Sequence, residues 1–409
     1  MDPVQDPSRL GFDARRLGRI ADWTARYVDA GKIPGATVLI ARRGEIAYLH
    51  TAGKRDVAAG TPWTRDTLVR AYSMTKPIAS TALMSLYEEA LIRLDDPVDS
   101  FIPSFANRMV LVPGATRLDQ VEPATERMTV RHLLTHRSGL SYGFNGGVLG
   151  QAYDTHKVAF NPRSGGLEAC VERLATMPLE FNPGLRWHYS VSTDVVGRLV
   201  EIVAGKPLDV VLRERIFEPL GMTETGFAVA PGDVGRFANL YEPDAKGGMK
   251  VMETAEGSAF REGQVNTFSG GGGLVSSADD YLKFAEMLRR KGAVSGKPGA
   301  DRVLGSRTHA LMTANHLPGD IASMGPKAFS ETSFEGVGFG LGVWVMLDAA
   351  KSGMSASVGD YGWGGMASTV FIVDPVEDMV ILYLTQLVPS STYPLRKELR
   401  ALVHQALID

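Results

Sequence analysis

A single cysteine, Cys170, stands in a chain of 409 residues, so no disulfide can form within it. Its neighbours, LEACVERLA, place it on the apolar side of a helix, where a thiol packs as a small hydrophobe rather than acting as a nucleophile. Charge of one sign is also scarce. Forty-three Lys and Arg stand against 46 Asp and Glu, a formal net charge of -3, and the absence of any long basic run leaves no electrostatic footprint for nucleic acid or an anionic membrane. Apolar stretches are interrupted by charges before they reach the ~20 residues a bilayer span needs. The N-terminus, MDPVQDPSRLGFD, is acidic and lacks the apolar core of a signal peptide. Repeats of solenoid or propeller period and low-complexity tracts are missing too. These absences predict a cytoplasmic protein without nucleic-acid or membrane partners. What is present, 44% hydrophobic and 22% charged residues, is ordinary globular usage and enough for two cores.

Periodicity divides the chain. Apolar residues at Leu17, Ile20, Ala21, Trp23, Tyr27 and Val28 recur at helical spacing and predict an amphipathic helix between Leu10 and Ala30. The period then falls to two: ATVLIARRGEIAYLHTAG reads as two strands around Arg43-Gly44. Near the other end, STVFIVDPVEDMVILYLTQ reads as a second hairpin, GFGLGVWVMLDA as a further strand and PLRKELRALVHQALID as a closing helix. Between Ser73 and about Ser269 the recognisable elements are helical, separated by irregular stretches at 103–127 and 141–166. This grammar predicts an α+β fold: an antiparallel sheet flanked by helices, formed by residues 1–72 and 275–409, with residues 73–274 as an inserted, mainly helical domain. A cleft between the two is the expected place for a small-molecule site.

The stretch AYSMTK stands where an extended segment meets the helix PIASTALMSLYEEAL. If that helix starts near Ser73, Lys76 follows one turn later, and side chains three apart on a helix have Cβ atoms roughly 5–6 Å apart. Pro77 suits a first turn, and free N–H groups at a helix start suit an oxyanion. The plainer alternative is that Ser73 only caps the helix and Lys76 is solvated. A lysine is a poor base unless it is desolvated or placed near other cations, so a second group is needed. The segment FNPGLRWHYSVSTDVVGRLVEIV offers Tyr189 at a loop-to-helix boundary.

Several ordered blocks then carry a resemblance: SMTK, TVRHLLTHRSGL, PGLRWHYSVSTDVVGRLVEIVAGKPL, FEPLGMTETGF and GGGGLVSSADDYLKFAEML. Together they resemble the serine β-lactamase-like superfamily, and within it the family VIII carboxylesterases, relatives of class C β-lactamases and penicillin-binding proteins. The resemblance implies a β-lactamase/transpeptidase-like fold, Ser73 as acylated nucleophile, and Lys76 with Tyr189 as the proton-transfer pair. It implies a small-molecule ester substrate and neither metal nor organic cofactor. Two departures bear on substrate. The lactamase-type YxN motif is replaced by Tyr189-Ser190-Val191, which removes an amide donor. KTG is replaced by Trp363-Gly364-Gly365, followed by Met366, which removes a cation that would meet a substrate carboxylate. By analogy Trp363, Gly364 and Gly365 line the substrate site, and the N–H groups of Ser73 and Met366 form the oxyanion hole. Both departures favour neutral esters with short to medium acyl chains. A β-lactamase, an acyltransferase, or a binding module acylated once without turnover are the alternatives.

Other motifs read as structural. Gly139-Leu140-Ser141-Tyr142-Gly143 matches the GxSxG nucleophile elbow but lacks the strand before and the helix after the serine. Lys351-Ser352-Gly353 resembles KTG but falls in a small-residue turn and reads as a loop. His132 and His136 lie i, i+4 without the glutamate of HExxH, so no metal is expected there. His188, beside Tyr189, either reaches the cleft or serves as a packing residue. The glycine run 270–273 lacks the GK[ST] of a phosphate loop and reads as a tight passage; Asp194 either positions the loop around Tyr189 or, the preferred reading, caps the helix that begins there.

Overall fold

A computed structural model describes residues 2–329 and 332–408. Its centre is a strand that is apolar on both faces. In Gly35–Arg42 (β1) every residue is buried; Ala36, Val38 and Ile40 join one core, Leu39 and Ala41 another, as in a sheet covered on both sides. Arg43 and Gly44 follow with φ of 56° and 86°. Two successive left-handed residues make the tight turn whose twist matches the flanking strands, so Glu45–Asp56 (β2) folds back on β1.

Six more strands complete the sheet: Thr61–Pro62 (β3), Val337–Phe339 (β4), Trp344–Met346 (β5), Tyr361–Gly364 (β6), Val370–Asp374 (β7) and Met379–Leu384 (β8). Their order is β4-β5-β6-β7-β8-β1-β2-β3, with every pairing antiparallel. The first and last parts of the chain thus meet where β1 pairs with β8, Thr37 opposite Leu384. One strand was predicted in GFGLGVWVMLDA; there are two, β4 and β5, because the chain reverses through Gly340 and Gly342. A side chain at Gly340 would lie 2.3 Å from the Met312 carbonyl oxygen.

The long helices are Ala14–Asp29 (α1), Thr75–Glu88 (α2), Ser192–Ala204 (α3), Ala278–Arg289 (α4) and Leu395–His404 (α5). Asp13 caps α1 by accepting from the Arg16 N–H. The apolar stripes of α1 (Leu17, Ile20, Trp23) and α5 (Leu395, Leu399, Val403) cover one face of the sheet. The opposite face meets α4, where Tyr281 packs on Phe371 at 5.2 Å between ring centres. Beyond it lies α2, buried all round from Thr75 to Leu86, which marks a central helix, and α3 packs against α2. The two largest apolar clusters divide at the sheet. One apolar cluster runs without interruption from Leu39 and Val373 to Leu133 and Val195 in the helical part.

That middle part is less purely helical than its sequence pattern suggests. It contains the hairpins Met109–Leu111 with Val121–Pro123 and Leu240–Pro243 with Met249–Glu253, and a helix, Gly147–Thr155, inside a stretch read as irregular. Val69–Arg70 pairs with Val275–Ser276, so the two ends of the intervening segment lie side by side.

Candidate active site

The residues before Ser73 are held from several directions. The Gln386 side chain brackets Arg70, accepting from its N–H at 3.1 Å and donating to its carbonyl at 3.2 Å. The buried Arg70 guanidinium binds Glu253 at 2.6 Å and stacks on Phe237. Tyr72 then adopts φ of 45°, a left-handed conformation that costs a bulky residue of order 1–3 kcal/mol and persists only where the surroundings impose it. A single turn of 3-10 helix, Tyr72–Met74, carries Ser73 into α2.

Ser73 does not cap α2, and Lys76 is not solvated. Lys76 is fully buried, and its Nζ lies within hydrogen-bond reach of three neutral oxygens: the Gly271 carbonyl at 2.7 Å, the Tyr142 hydroxyl at 2.9 Å and Ser73 Oγ at 3.2 Å. Three donors with three acceptors is a complete set for an ammonium. The Tyr189 hydroxyl donates to Ser73 Oγ at 2.7 Å, and Lys76 Nζ lies 4.7 Å from the centre of the Tyr189 ring. The structure thus brings Ser73, Lys76 and Tyr189 into mutual contact. Ser73 keeps partial exposure, as a group that receives a substrate must.

The strand that replaces KTG lies alongside. Trp363 is buried with its ring 5.5 Å from that of Tyr189 and 5.3 Å from that of Phe339. Gly364 and Gly365 are needed for close approach. A side chain at Gly364 would lie 2.7 Å from the Arg396 guanidinium, and one at Gly365 would lie 2.5 Å from the Ala71 carbonyl oxygen, two residues before Ser73. Arg396 donates to the Gly365 carbonyl at 2.8 Å. In a trans peptide the carbonyl and the following N–H point in opposite directions, so the Met366 N–H points away from Arg396. The Met366 side chain is 39% exposed.

Four features of the site escaped sequence reasoning. Tyr142, within the discounted GLSYG, carries a hydroxyl to Lys76, and its ring stacks on Phe144 at 4.6 Å. Burial, with Tyr189 and Asp194 nearby, pushes its proton affinity well above that of an ordinary phenol, so it stands as a neutral hydrogen-bonding group. Asn145 donates to the Tyr189 carbonyl at 2.9 Å. The Gly271 carbonyl is a backbone group, which no motif of side chains encodes. Asp194 corrects the cap reading: it lies inside α3, and its carboxylate accepts from the Ser269 hydroxyl and from the Gly271 N–H.

The remaining motifs lie elsewhere. Ser141 Oγ is 2.9 Å from His188 Nε2, and burial holds His188 below the usual imidazole range. His136 packs its ring 5.0 Å from that of Tyr189, and burial, then Lys76, keep it neutral. His132 accepts from the Thr129 N–H in a capping box, so the two histidines serve different partners. The predicted loop at Lys351 is a short helix, Ala349–Ser352, ended by left-handed Gly353; the Lys351 side chain is 68% exposed beside Asp348. Cys170 is buried, with the Arg173 guanidinium 3.1 Å from its sulfur.

The family model described as Beta-lactamase matches residues 20–405. Protein Rv1367c of Mycobacterium tuberculosis is 36% identical over 367 residues, 88% of each chain. Esterase EstB of Burkholderia gladioli is 33% identical over 399 residues, 93% of each chain. Among solved structures, EstCE1, described as a hydrolase with promiscuous acyltransferase activity, superposes with a TM-score of 0.80 at 29% identity, covering 97% of this chain and 99% of its own.

Proposed function

Because the chain belongs to the β-lactamase family, as a family VIII esterase and thus a serine hydrolase that cleaves esters in general, we propose that Ser73 is its acylated nucleophile and Lys76 with Tyr189 its proton-transfer pair. The observation that carries this reading is that one oxygen, Ser73 Oγ, lies within hydrogen-bond reach of both an amine and a phenol. A neutral Lys76 keeps two N–H bonds toward Gly271 and Tyr142 and turns its lone pair toward Ser73. Ser73 Oγ attacks the ester carbonyl while its proton passes to the pair. The N–H groups of Ser73 and Met366 receive the oxyanion. The pair returns the proton to the departing alkoxide, leaving an acyl-serine. Water then attacks, its proton follows the same path, and Ser73 is released with the carboxylic acid.

The substrate we propose is a neutral ester with a short or medium acyl chain. Support comes from Trp363 standing where a lysine would greet a carboxylate, and from the aromatic surroundings formed by Tyr142, Phe144, Tyr189, Phe329 and Trp363. We read the site as the seam between residues 73–274 and the rest of the chain, since Ser73 and Tyr189 come from the first part and Gly365 from the second. EstCE1 raises acyl transfer to an alcohol as a second outcome of the same acyl-serine. A panel of short aryl esters, lactones and a chromogenic cephalosporin, with and without added alcohol, tests the reading. Wild type should turn over aryl esters best, and Ser73→Ala should abolish turnover. Substantial activity in Ser73→Ala, or labelling of Ser73 without steady-state turnover, overturns it.

A further inference from the structure

We propose that Asp194 is a positioning residue for this centre: it fixes the Gly271 carbonyl that receives Lys76, and its carboxylate sets the pH at which the Lys76–Tyr189 pair exchanges its proton. The inference rests on the reading of Lys76 and Tyr189 as that pair.

The geometry is a clamp. The Asp194 side chain, 1% exposed, leaves the first turn of α3 and takes hold of the 269–271 loop through the Ser269 hydroxyl and the Gly271 N–H. The carbonyl of that same Gly271 accepts the shortest of the three Lys76 bonds, 2.7 Å. Contact between loop and carboxylate is close enough that a side chain on Gly271 would sit 2.4 Å from an Asp194 oxygen, and one on Gly270 would sit 2.6 Å from the Thr193 carbonyl. The far end of the loop is tied to α2, where Thr75 accepts from the Leu274 N–H at 3.1 Å. The loop is thus pinned between the helix that carries Lys76 and the helix that follows Tyr189. The hydroxyl and the N–H both bind one oxygen of the carboxylate, Oδ1, and neither is charged, so the carboxylate's charge remains to act through space.

The titratable groups facing Asp194 are Lys76 from α2, Tyr142 from the loop before Phe144, and Cys170 from the helix Leu167–Ala175. Lys76 is the cation among them. Burial raises the Asp194 proton affinity to about 6, against the opposing pull of Lys76, Ser269 and Gly271. Above that pH a buried carboxylate faces a buried amine across one residue, Gly271, and it favours the ammonium form. Removing the charge makes the amine easier to deprotonate, so the acidic limb of the rate profile moves to lower pH.

The test compares Asp194→Asn, which keeps an acceptor oxygen without the charge, with Asp194→Ala and Ser269→Ala, using kcat and KM for a neutral aryl ester from pH 5 to 10. Asp194→Asn should shift the acidic limb of kcat/KM down by half a pH unit or more. Asp194→Ala should lower kcat by about 10²-fold with KM changed less than threefold, and Ser269→Ala should lower kcat by less. If the alanine variant does not fold, the asparagine limb decides alone. A wild-type limb in Asp194→Asn, or a loss confined to KM, overturns the proposal. Lys76→Met is assayed in parallel: retained turnover there defeats the proton-pair reading itself, whereas its loss beside an unshifted Asp194→Asn defeats the Asp194 role only.

Discussion

Two buried cation–aspartate pairs lie on opposite faces of the sheet and are built differently. On one face Arg400 of α5 donates to Asp360 at 2.6 Å, both side chains 4% exposed or less, and the guanidinium lies over Trp344. On the other, Lys76 and Asp194 are equally buried, but the residue Gly271 stands between them, its carbonyl toward Lys76 and its N–H toward Asp194. Burial raises the carboxyl proton affinity to about 6 in both, against the pull of the cation. The difference lies in what the cation can do next. A guanidinium in direct contact with a carboxylate is always charged and fixed by its fork of donors, so the Arg400 pair can only hold α5 to the strand that begins at Tyr361. A lysine held by neutral oxygens can release a proton without leaving its place. Contact makes a strut, and separation by one residue leaves an exchangeable proton.

Substitutions break this comparison in opposite ways. Lys76→Met should cost the most, about 10³ to 10⁴ in kcat, or ~4–5.5 kcal/mol of barrier, with a smaller loss of stability than Arg400→Met, since Asp194 keeps its bonds from Ser269 and Gly271. Single-turnover acylation by an aryl ester, together with thermal unfolding, measures both; retained acylation breaks the functional half of the comparison. Tyr189→Phe should follow, at about 10²- to 10⁴-fold in kcat, with KM little changed. Arg400→Met should do the reverse. Leaving Asp360 buried without its cation should cost about 3–5 kcal/mol of stability, read by denaturant unfolding, while kcat stays within about threefold.

Asp194 sharpens the contrast through stability. Its carboxyl proton affinity is raised from 3.8 to about 6 in the folded state, so between those pH values the folded chain binds more protons than the unfolded one. Stability from this group therefore falls as pH rises through that window and is lowest above it. The full cost is on the order of 2–3 kcal/mol. Asp194→Asn should unfold at a higher temperature than wild type above pH 6, and the gap should close below pH 4. A gap independent of pH would mean that the ionised carboxylate carries no such cost.

What was legible in the sequence follows the range of the forces involved. The hairpin at Arg43-Gly44, the strands β7 and β8 and the helices α1 and α5 are written in local periodicity and turn chemistry, and each appears close to where the sequence put it. Ser73 and Lys76 were visible because one helical turn relates them, and Tyr189 because several ordered blocks framed it. Asp194 was misread because capping is a local rule and its partners lie some 75 residues away, across the packed lobe. The β4–β5 reversal was missed because its glycines answer to the Met312 carbonyl, a distant backbone group. Tyr142 was hidden for a different reason: it sat inside a motif set aside on account of Ser141, and the neighbour of that serine attracted no attention.

Tyr142→Phe should have the smallest effect and resolves how Lys76 is held. The substitution removes one of the three oxygens around the amine but keeps the ring, so the stack on Phe144 and the contact with Tyr189 at 5.1 Å survive. A hydrogen bond from a charged donor contributes about 1.5–3 kcal/mol, and the amine keeps its two other acceptors, the Gly271 carbonyl and Ser73 Oγ. The expected loss is thus about tenfold in kcat, near 1.4 kcal/mol, with KM unchanged. Losing an acceptor that favours the ammonium should also move the acidic limb to lower pH, in the same direction as Asp194→Asn and by less. If both act through one amine, the double variant should shift less than the sum of the two. A Tyr142→Phe loss as large as that of Tyr189→Phe would make the phenol a proton carrier in its own right, and the Lys76 side of the comparison would then need two phenols instead of one.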